Sequence, residues 1–313
     1  MHIRFWGVCG SLPAPLVPEQ IKDKISAIIE RLTPLDIESP ASRERFLAAL
    51  PPWLFGTIGG NTPCVSVEGD DFQERIIFDA GSGLRELGNA LARERPKPLR
   101  YHLFFSHFHW DHIQGLPFFD PLYNPAARID MYSPVSDLQT LLSGQMKGPY
   151  FPVTLESSGA EKCFHLLKGP ITLNGVTVRY RKMNHPGDSY AYRLDDGKRC
   201  FIYATDAELS AGDFTQSQEN AAFFRNADLL VLDSQYTLDE AVEKYNWGHS
   251  AFSMGVDFAV NWEIKHLVLF HHDPAYDDKK AAGILQAAQR YRERMNIQGI
   301  KISLAMEGME IPV

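Results

Sequence analysis

Ser106-His107-Phe108-His109-Trp110-Asp111-His112-Ile113 is the stretch on which the reading of this chain turns. Four side chains able to bind metal fall within six positions, directly after the apolar run Leu103-Phe104-Phe105. In an extended segment residues two apart point the same way, so His107 and His109 can converge on one ion. Asp111 and His112 follow where the chain must turn, which lets them face a second ion beside the first. A zinc-finger arrangement fails, because Cys9, Cys64, Cys163 and Cys200 show no paired spacing. A surface loop rich in histidine is the bland alternative, yet such a loop has no reason to start where a buried strand ends.

The pattern His-x-His-x-Asp-His resembles the metallo-β-lactamase superfamily, and the resemblance implies further ligands downstream, each just past a strand. His185 stands in Lys182-Met-Asn-His-Pro-Gly187, after the β-like run Val176-Thr-Val-Arg-Tyr180. Asp206 closes Cys200-Phe-Ile-Tyr-Ala-Thr-Asp206, and His271 follows Leu267-Val-Leu-Phe270. A strand that ends on a polar ligand is what a site on a rigid scaffold requires. The resemblance implies His107, His109 and His185 on one metal, Asp111, His112 and His271 on the other, and Asp206 bridging. His271 and His272 are adjacent, and both strand faces before them are apolar, so the residues alone leave the choice open. The family pattern puts its last ligand directly after the strand. That favours His271 and leaves His272 to support the ligands or contact substrate. Nitrogen and oxygen donors without thiolate suit two divalent ions, zinc foremost, with manganese or iron as alternatives.

At 313 residues and 44% hydrophobic content the chain can bury a large core, and its length alone would allow two domains. The candidate ligands run from 107 to 271 and must meet, so a single hydrolase domain over 1–313 is expected. A net charge of −8 argues against a general nucleic-acid surface. Cys64 and Cys200 lie in strand-like runs and read as buried thiols. The opening Met-His-Ile-Arg-Phe-Trp lacks the regions of a signal peptide, and no apolar run reaches membrane-spanning length. A cytoplasmic enzyme with no membrane partner is the resulting expectation.

Apolar patterning predicts strands at 2–6, 64–68, 75–78, 101–105, 128–132, 176–181, 190–194, 199–204, 229–232, 267–270 and 302–305, with a hairpin turn at Asp195-Asp-Gly-Lys198. Helices are predicted at about 214–225, 250–260 and 279–295. Hairpins early and alternating helices later predict an α/β (α+β) fold of two mixed sheets face to face with helices outside. The resemblance implies the same four-layer αββα sandwich. A helical insertion is expected at about 15–55. There Ile21, Ile25, Ile28, Ile29 and Leu32 fall at helical spacing, and Ser39-Pro40 looks like a second helix start ended by Pro51-Pro52. It reads either as a decoration packed on the body or as a lid or homodimer element beside the site.

Finer motifs narrow the chemistry. Asp79, in Phe78-Asp-Ala-Gly-Ser-Gly83, is placed at a strand end to accept a hydrogen bond from a metal-binding histidine. Trp247-Gly-His-Ser250 precedes a helix; Ser250 could cap it and His249 could be a structural neighbour. The motif also resembles the phosphodiesterase branch of the superfamily, which includes tRNase Z and cyclic-phosphate phosphodiesterases. There the histidine protonates the leaving oxygen. That resemblance extends over nearly the whole chain outside about 15–55. It implies hydrolysis of a small-molecule phosphodiester by a bridging hydroxide between two metals, with Asp111 serving catalysis as well as binding. His249 is the candidate acid, and Asp233, ending Asp228-Leu-Leu-Val-Leu232, could orient it. Rival readings use the same core. A zinc β-lactamase would have cysteine where Asp206 stands, and a glyoxalase II-type thioesterase would leave Trp247-Gly-His-Ser250 without a job. tRNase Z would carry a glycine- and lysine-rich arm, which is not evident. A non-catalytic sensor would have lost ligands.

Overall fold

The computed structural model describes residues 1–69, 74–94 and 99–313. Strands β1 (His2–Gly7), β2 (Cys64–Glu68), β3 (Arg75–Phe78), β4 (Arg100–Phe104), β5 (Arg128–Ser133) and β6 (Glu161–Leu166) belong to one sheet. Strands β7 (Ile171–Leu173), β8 (Val176–Lys182), β9 (Tyr190–Asp195), β10 (Cys200–Ala204), β11 (Leu229–Asp233), β12 (His266–Phe270) and β13 (Lys301–Leu304) form the other. The last strand, β14 (Glu310–Pro312), returns to the first sheet and pairs with β1. The orders are β14-β1-β2-β3-β4-β5-β6 and β13-β12-β11-β10-β9-β8-β7. Each sheet is mixed: β3 to β6 and β10 to β13 run parallel, and the remaining pairs are antiparallel.

Helices α1 (Pro18–Ile29), α2 (Pro40–Ala49) and α3 (Pro52–Phe55) lie between β1 and β2, and α4 (Gly83–Leu91) follows β3. The short α5 (Trp110–Ile113) carries the end of the opening motif, and α6 (Leu138–Gln145) follows β5. Helices α7 (Gln218–Phe224), α8 (Leu238–Glu243), α9 (Phe252–Asn261) and α10 (Asp278–Arg294) punctuate the second sheet. This is the predicted sandwich of two mixed sheets. Among the described residues no helix is long and apolar enough to cross a membrane.

Parallel strands covered on both faces need continuous apolar sequence, and β12, His266-Leu-Val-Leu-Phe270, is buried throughout. Between the sheets Phe78 stacks on Tyr203 at 5.2 Å and meets Phe104 at 5.6 Å and Tyr192 at 5.5 Å. Truncating such a ring to alanine costs about 3–5 kcal/mol, so Phe78 anchors the strand ends that carry the site.

Several expectations need correction. The helix predicted over 214–225 is a 3-10 turn at Ala211–Phe214 followed by α7, because the Ser217 side chain accepts from Asn220 N and starts a new helix. Strands β6, β7 and β14 went unpredicted. Each is an edge strand, defined by its partner rather than by an alternating pattern of its own. The isoleucine stripe of α1 is packed only in part: Ile28 is half-buried, while Ile21, Ile25 and Ile29 are 45%, 52% and 62% exposed. The helix is held along its other edge, where Lys24 Nζ pairs with Asp278 and donates to Gly56 O at 2.6 Å.

Candidate metal centre and active site

Every strand that delivers a site residue does so at its carboxyl end. Three of these residues, Asp79, Asp206 and His271, have left-handed backbones with φ of 59°, 49° and 63°. Aspartate and histidine tolerate that region better than branched residues do. The reversal stops each strand abruptly and turns the following chain across the sheet end.

Three overlapping groups of side chains meet there, the third being Asp233, His249 and His271. In the first, ligand atoms of His107, His109, His185 and Asp206 lie within 4.8 Å of one another, and in the second so do those of Asp111, His112, Asp206 and His271. Asp206 belongs to both. Its Oδ1 lies 3.7 Å from His107 Nε2 and 3.6 Å from His185 Nε2, while its Oδ2 lies 3.1 Å from His112 Nε2 and 3.2 Å from His271 Nε2. Asp111 Oδ2 closes the second group at 3.2 Å from His112 Nε2 and 3.3 Å from His271 Nε2.

The hydrogen bonds behind these rings decide what their inner nitrogens can do. His107 Nδ1 donates to Ser106 Oγ at 3.0 Å, His112 Nδ1 to Asp79 Oδ2 at 2.8 Å, His185 Nδ1 to Gly248 O at 2.9 Å and His271 Nδ1 to Gln235 Oε1 at 3.0 Å. A donor at Nδ1 leaves the Nε2 lone pair facing inward, the tautomer a metal requires. Among the described residues His107 Nε2 is buried with no hydrogen-bond partner. Such an orphan costs about 1–3 kcal/mol unless something binds it, so the donor set fits divalent cations.

The electrostatics agree. Burial, reinforced by His112, holds His107 well below the usual histidine range, and burial also lowers His109 and His185. The lowered values favour the neutral rings that could bind a cation. Burial opposes ionisation of Asp206 and Asp111, but neighbouring histidines, led in each case by His112, hold both carboxyls well below their ordinary values. His112 is itself pushed far up despite its burial, by Asp206, Asp111 and Asp79. It keeps a proton that a cation would displace.

Asp79 also accepts from Ser106 N at 2.7 Å, Ser106 Oγ at 2.8 Å and Tyr203 OH at 2.8 Å, so one buried carboxylate fixes both ends of the motif. His272 is not brought to the cluster: its Nε2 donates to Ala305 O at 2.9 Å. Only its backbone takes part, accepting from Gly10 N at 2.8 Å. Gly10 passes so close that a Cβ there would fall 2.5 Å from the His271 ring, and Ser11 N donates to Asp111 Oδ2 at 2.8 Å. Ser11, Gln235 and Gly248 went unsingled in the sequence, since two act through backbone atoms and Gln235 through a contact across the fold.

His249 stands beside the cluster, its ring stacked on His271 at 5.0 Å and edge-on to His185 at 5.2 Å. Its Nδ1 donates to Asp233 Oδ2 at 2.6 Å, which leaves Nε2 to carry a transferable proton. Burial disfavours the charged ring, but Asp233, with Asp206 and Asp111, carries its pKa up to about 9. Ser250 does not cap α9; its hydroxyl donates to Ala207 O at 2.6 Å and accepts from Leu209 N at 2.9 Å.

The sequence model of the family described as beta-lactamase superfamily domain matches residues 74–272. Ribonuclease Z of Clostridium tetani is 23% identical over 278 residues, which span 71% of this chain and 88% of that protein. The metallo-β-lactamase fold protein YhfI of Bacillus subtilis superposes with a TM-score of 0.64 at 16% identity, covering 99% of this chain and 98% of its own. Human tRNase Z, short form, superposes with a TM-score of 0.62 at 18% identity over 100% and 99% of the two chains. A diphosphatase from the PhnP family does so with a TM-score of 0.61 at 18% identity over 100% and 97%. At these identities the structural likeness is one of fold.

Proposed function

The chain belongs to the metallo-β-lactamase superfamily, and on that premise we propose that it is a metal-dependent phosphodiesterase acting on a small or cyclic phosphodiester. The observation that carries this reading is the His249–Asp233 pair, 2.6 Å apart, set against the ligand cluster. Hydrolysis of a phosphodiester expels an alkoxide, which needs a proton; a positioned acid contributes roughly 10²–10⁴ to such a step.

His107, His109, His185 and Asp206 would hold one divalent cation, and Asp111, His112, His271 and Asp206 a second, zinc foremost. When bound, they supply Lewis acidity toward phosphoryl oxygens and a water of lowered pKa. The chain's own residues do the rest. Asp206 and Asp111 keep the cluster anionic, and Asp79 and Gln235 fix the rings of His112 and His271 from behind. Asp233 orients His249 and keeps its Nε2 protonated, so the proton passes from that atom to the leaving oxygen.

A second reading, cleavage of a phosphodiester within RNA, has the ribonuclease Z relatives in its favour. A groove of about 670 Å³ beside β8 is lined by Arg179, Arg181, Lys182, Tyr180, Tyr190 and Glu219, with Arg181 paired to Glu219 at 3.5 Å and Lys182 to Asp188 at 2.6 Å. Metal-loaded protein assayed on bis-p-nitrophenyl phosphate, a cyclic nucleotide, an RNA oligonucleotide, a thioester and a β-lactam tests the reading. Phosphodiesters should be cleaved fastest; a clear thioester preference overturns the proposal and leaves the fold intact.

A further inference from the structure

Tryptophan is among the least water-exposed side chains on average, and in this chain Trp262 is 0% and Trp6 7% exposed. Trp110 is 82% and Trp247 63% exposed. Both flank the cluster. Trp110 sits between His109 and Asp111, and Trp247 stands two residues before His249.

The cluster opens to solvent on this side. His107, His185, Asp206, Asp111, His112 and His271 are buried, whereas His109 is exposed and His249 partly so. The two nitrogens of His185 face the two tryptophan-bearing segments: Nε2 lies 3.2 Å from His109 Nδ1, and Nδ1 bonds Gly248 O at 2.9 Å. Trp110 and Trp247 therefore border the opening from different sides.

Neither ring is there by default of a loose loop. Trp110 is the first residue of α5, and its neighbours on both sides belong to the two ligand groups. Trp247 lies between Asn246 and Gly248, both left-handed at φ 65° and 91°. Glu208 clamps this turn, accepting from Asn246 N at 3.0 Å and Gly248 N at 2.9 Å. A Cβ at Gly248 would fall 2.3 Å from His185 Nδ1, so the turn is pressed against the cluster and its one large side chain is thrown outward. Aromatic faces exposed at the lip of a catalytic site are what a planar ring stacks on, and Lys244 Nζ, 5.9 Å over the Trp247 ring, adds a cation beside that face.

We propose that Trp110 and Trp247 are stacking platforms that select phosphodiesters carrying a nucleobase. This rests on the phosphodiesterase reading and names its substrate class. A ring on the esterified sugar lies against indole while the phosphodiester lies in the cluster, and a phosphodiester without a base forfeits that contact.

The test compares thymidine 5′-p-nitrophenyl phosphate with methyl p-nitrophenyl phosphate. Their leaving group is the same, so the ratio of kcat/KM reports the nucleoside alone. Base–aromatic stacking corresponds to roughly 5- to 150-fold per ring, so Trp110→Ala and Trp247→Ala should each lower that ratio by at least about fivefold, through KM. The high exposure of both rings keeps core packing out of the result. An unchanged ratio in both variants overturns the proposal. So does an unchanged ratio in Trp247→Ala accompanied by altered sedimentation, which would assign that ring to a protein interface. Quenching of tryptophan fluorescence by 5′-AMP needs no turnover. If the protein cleaves neither ester, the phosphodiesterase reading fails, and quenching still decides the platforms: loss in the double variant supports them, and undiminished quenching overturns them.

Discussion

Asp233→Asn removes the charge behind His249 and nearly keeps its shape; because Asp233 also accepts from Ala207 N and Gln235 N, each at 3.1 Å, matched metal content is the control that separates the acid from those contacts. With Asp233 at 2.6 Å the His249 pKa is carried to about 9, against about 6.5 for an unperturbed histidine. An acid works only while protonated, so the rate falls as pH rises through its pKa. At pH 7.5 a group of pKa about 9 is about 97% protonated and one of about 6.5 is about 9% protonated, so Asp233→Asn should lose up to about tenfold at that pH. Part of the upward push comes from Asp206 and Asp111, which bound cations would neutralise. The alkaline limb of the native enzyme should therefore lie between about 6.5 and about 9, and the variant's limb lower. The assay is a kcat/KM–pH profile on alkyl and p-nitrophenyl phosphodiesters at matched metal content. The alkyl ester needs the proton and should show the shift; p-nitrophenolate leaves unaided and should show little. An unmoved limb, or equal loss on both esters, would refute the acid role and point to positioning instead.

Other outcomes follow from the same geometry. His249→Ala should retain most of the metal while slowing alkyl phosphodiester hydrolysis by roughly 10²–10⁴, read from kcat with elemental analysis alongside. Asp79→Ala strands the donors Ser106 N, Ser106 Oγ, His112 Nδ1 and Tyr203 OH; denaturant titration should show a loss of about 3–5 kcal/mol, and zinc affinity should drop about 10- to 100-fold. Because His112 is pushed up by three carboxylates, zinc added to weakly buffered protein at pH 7 should release protons, measurable with a pH indicator, and His112→Ala should release fewer. Replacing residues 17–52, whose isoleucine stripe is packed only in part, with a Gly/Ser linker should spare metal binding and change substrate preference or oligomeric state. Identity to the parent in both would make the segment decoration.

The fold was legible where burial writes itself into sequence. β4, β10, β11 and β12 each close on an apolar run next to a polar residue, and that pattern locates their carboxyl ends. The edge strand β13 was legible from its apolar residues, but β7 and β14 were not, because they are three residues long and exist through their neighbours. Ligand-capable residues could be singled out from side-chain chemistry, whereas the atoms that orient them could not. Ser11 N and Gly248 O are backbone groups, and any residue type offers those. Gln235 meets His271 across 36 positions, a distance periodicity does not reach. The α1 stripe shows the converse limit: helical spacing announced an apolar face but not which way it would turn. Lys24, anchored on Asp278, decided that.

The most direct test of the account follows metal content and turnover together. Apo-protein prepared with a chelator is titrated with zinc, and each sample is divided between elemental analysis and hydrolysis of bis-p-nitrophenyl phosphate. Two ligand groups sharing Asp206 predict activity that saturates near two ions per chain, and Asp206→Ala should lower occupancy at both sites. Full activity at one ion, or activity that survives complete removal of metal, would contradict it.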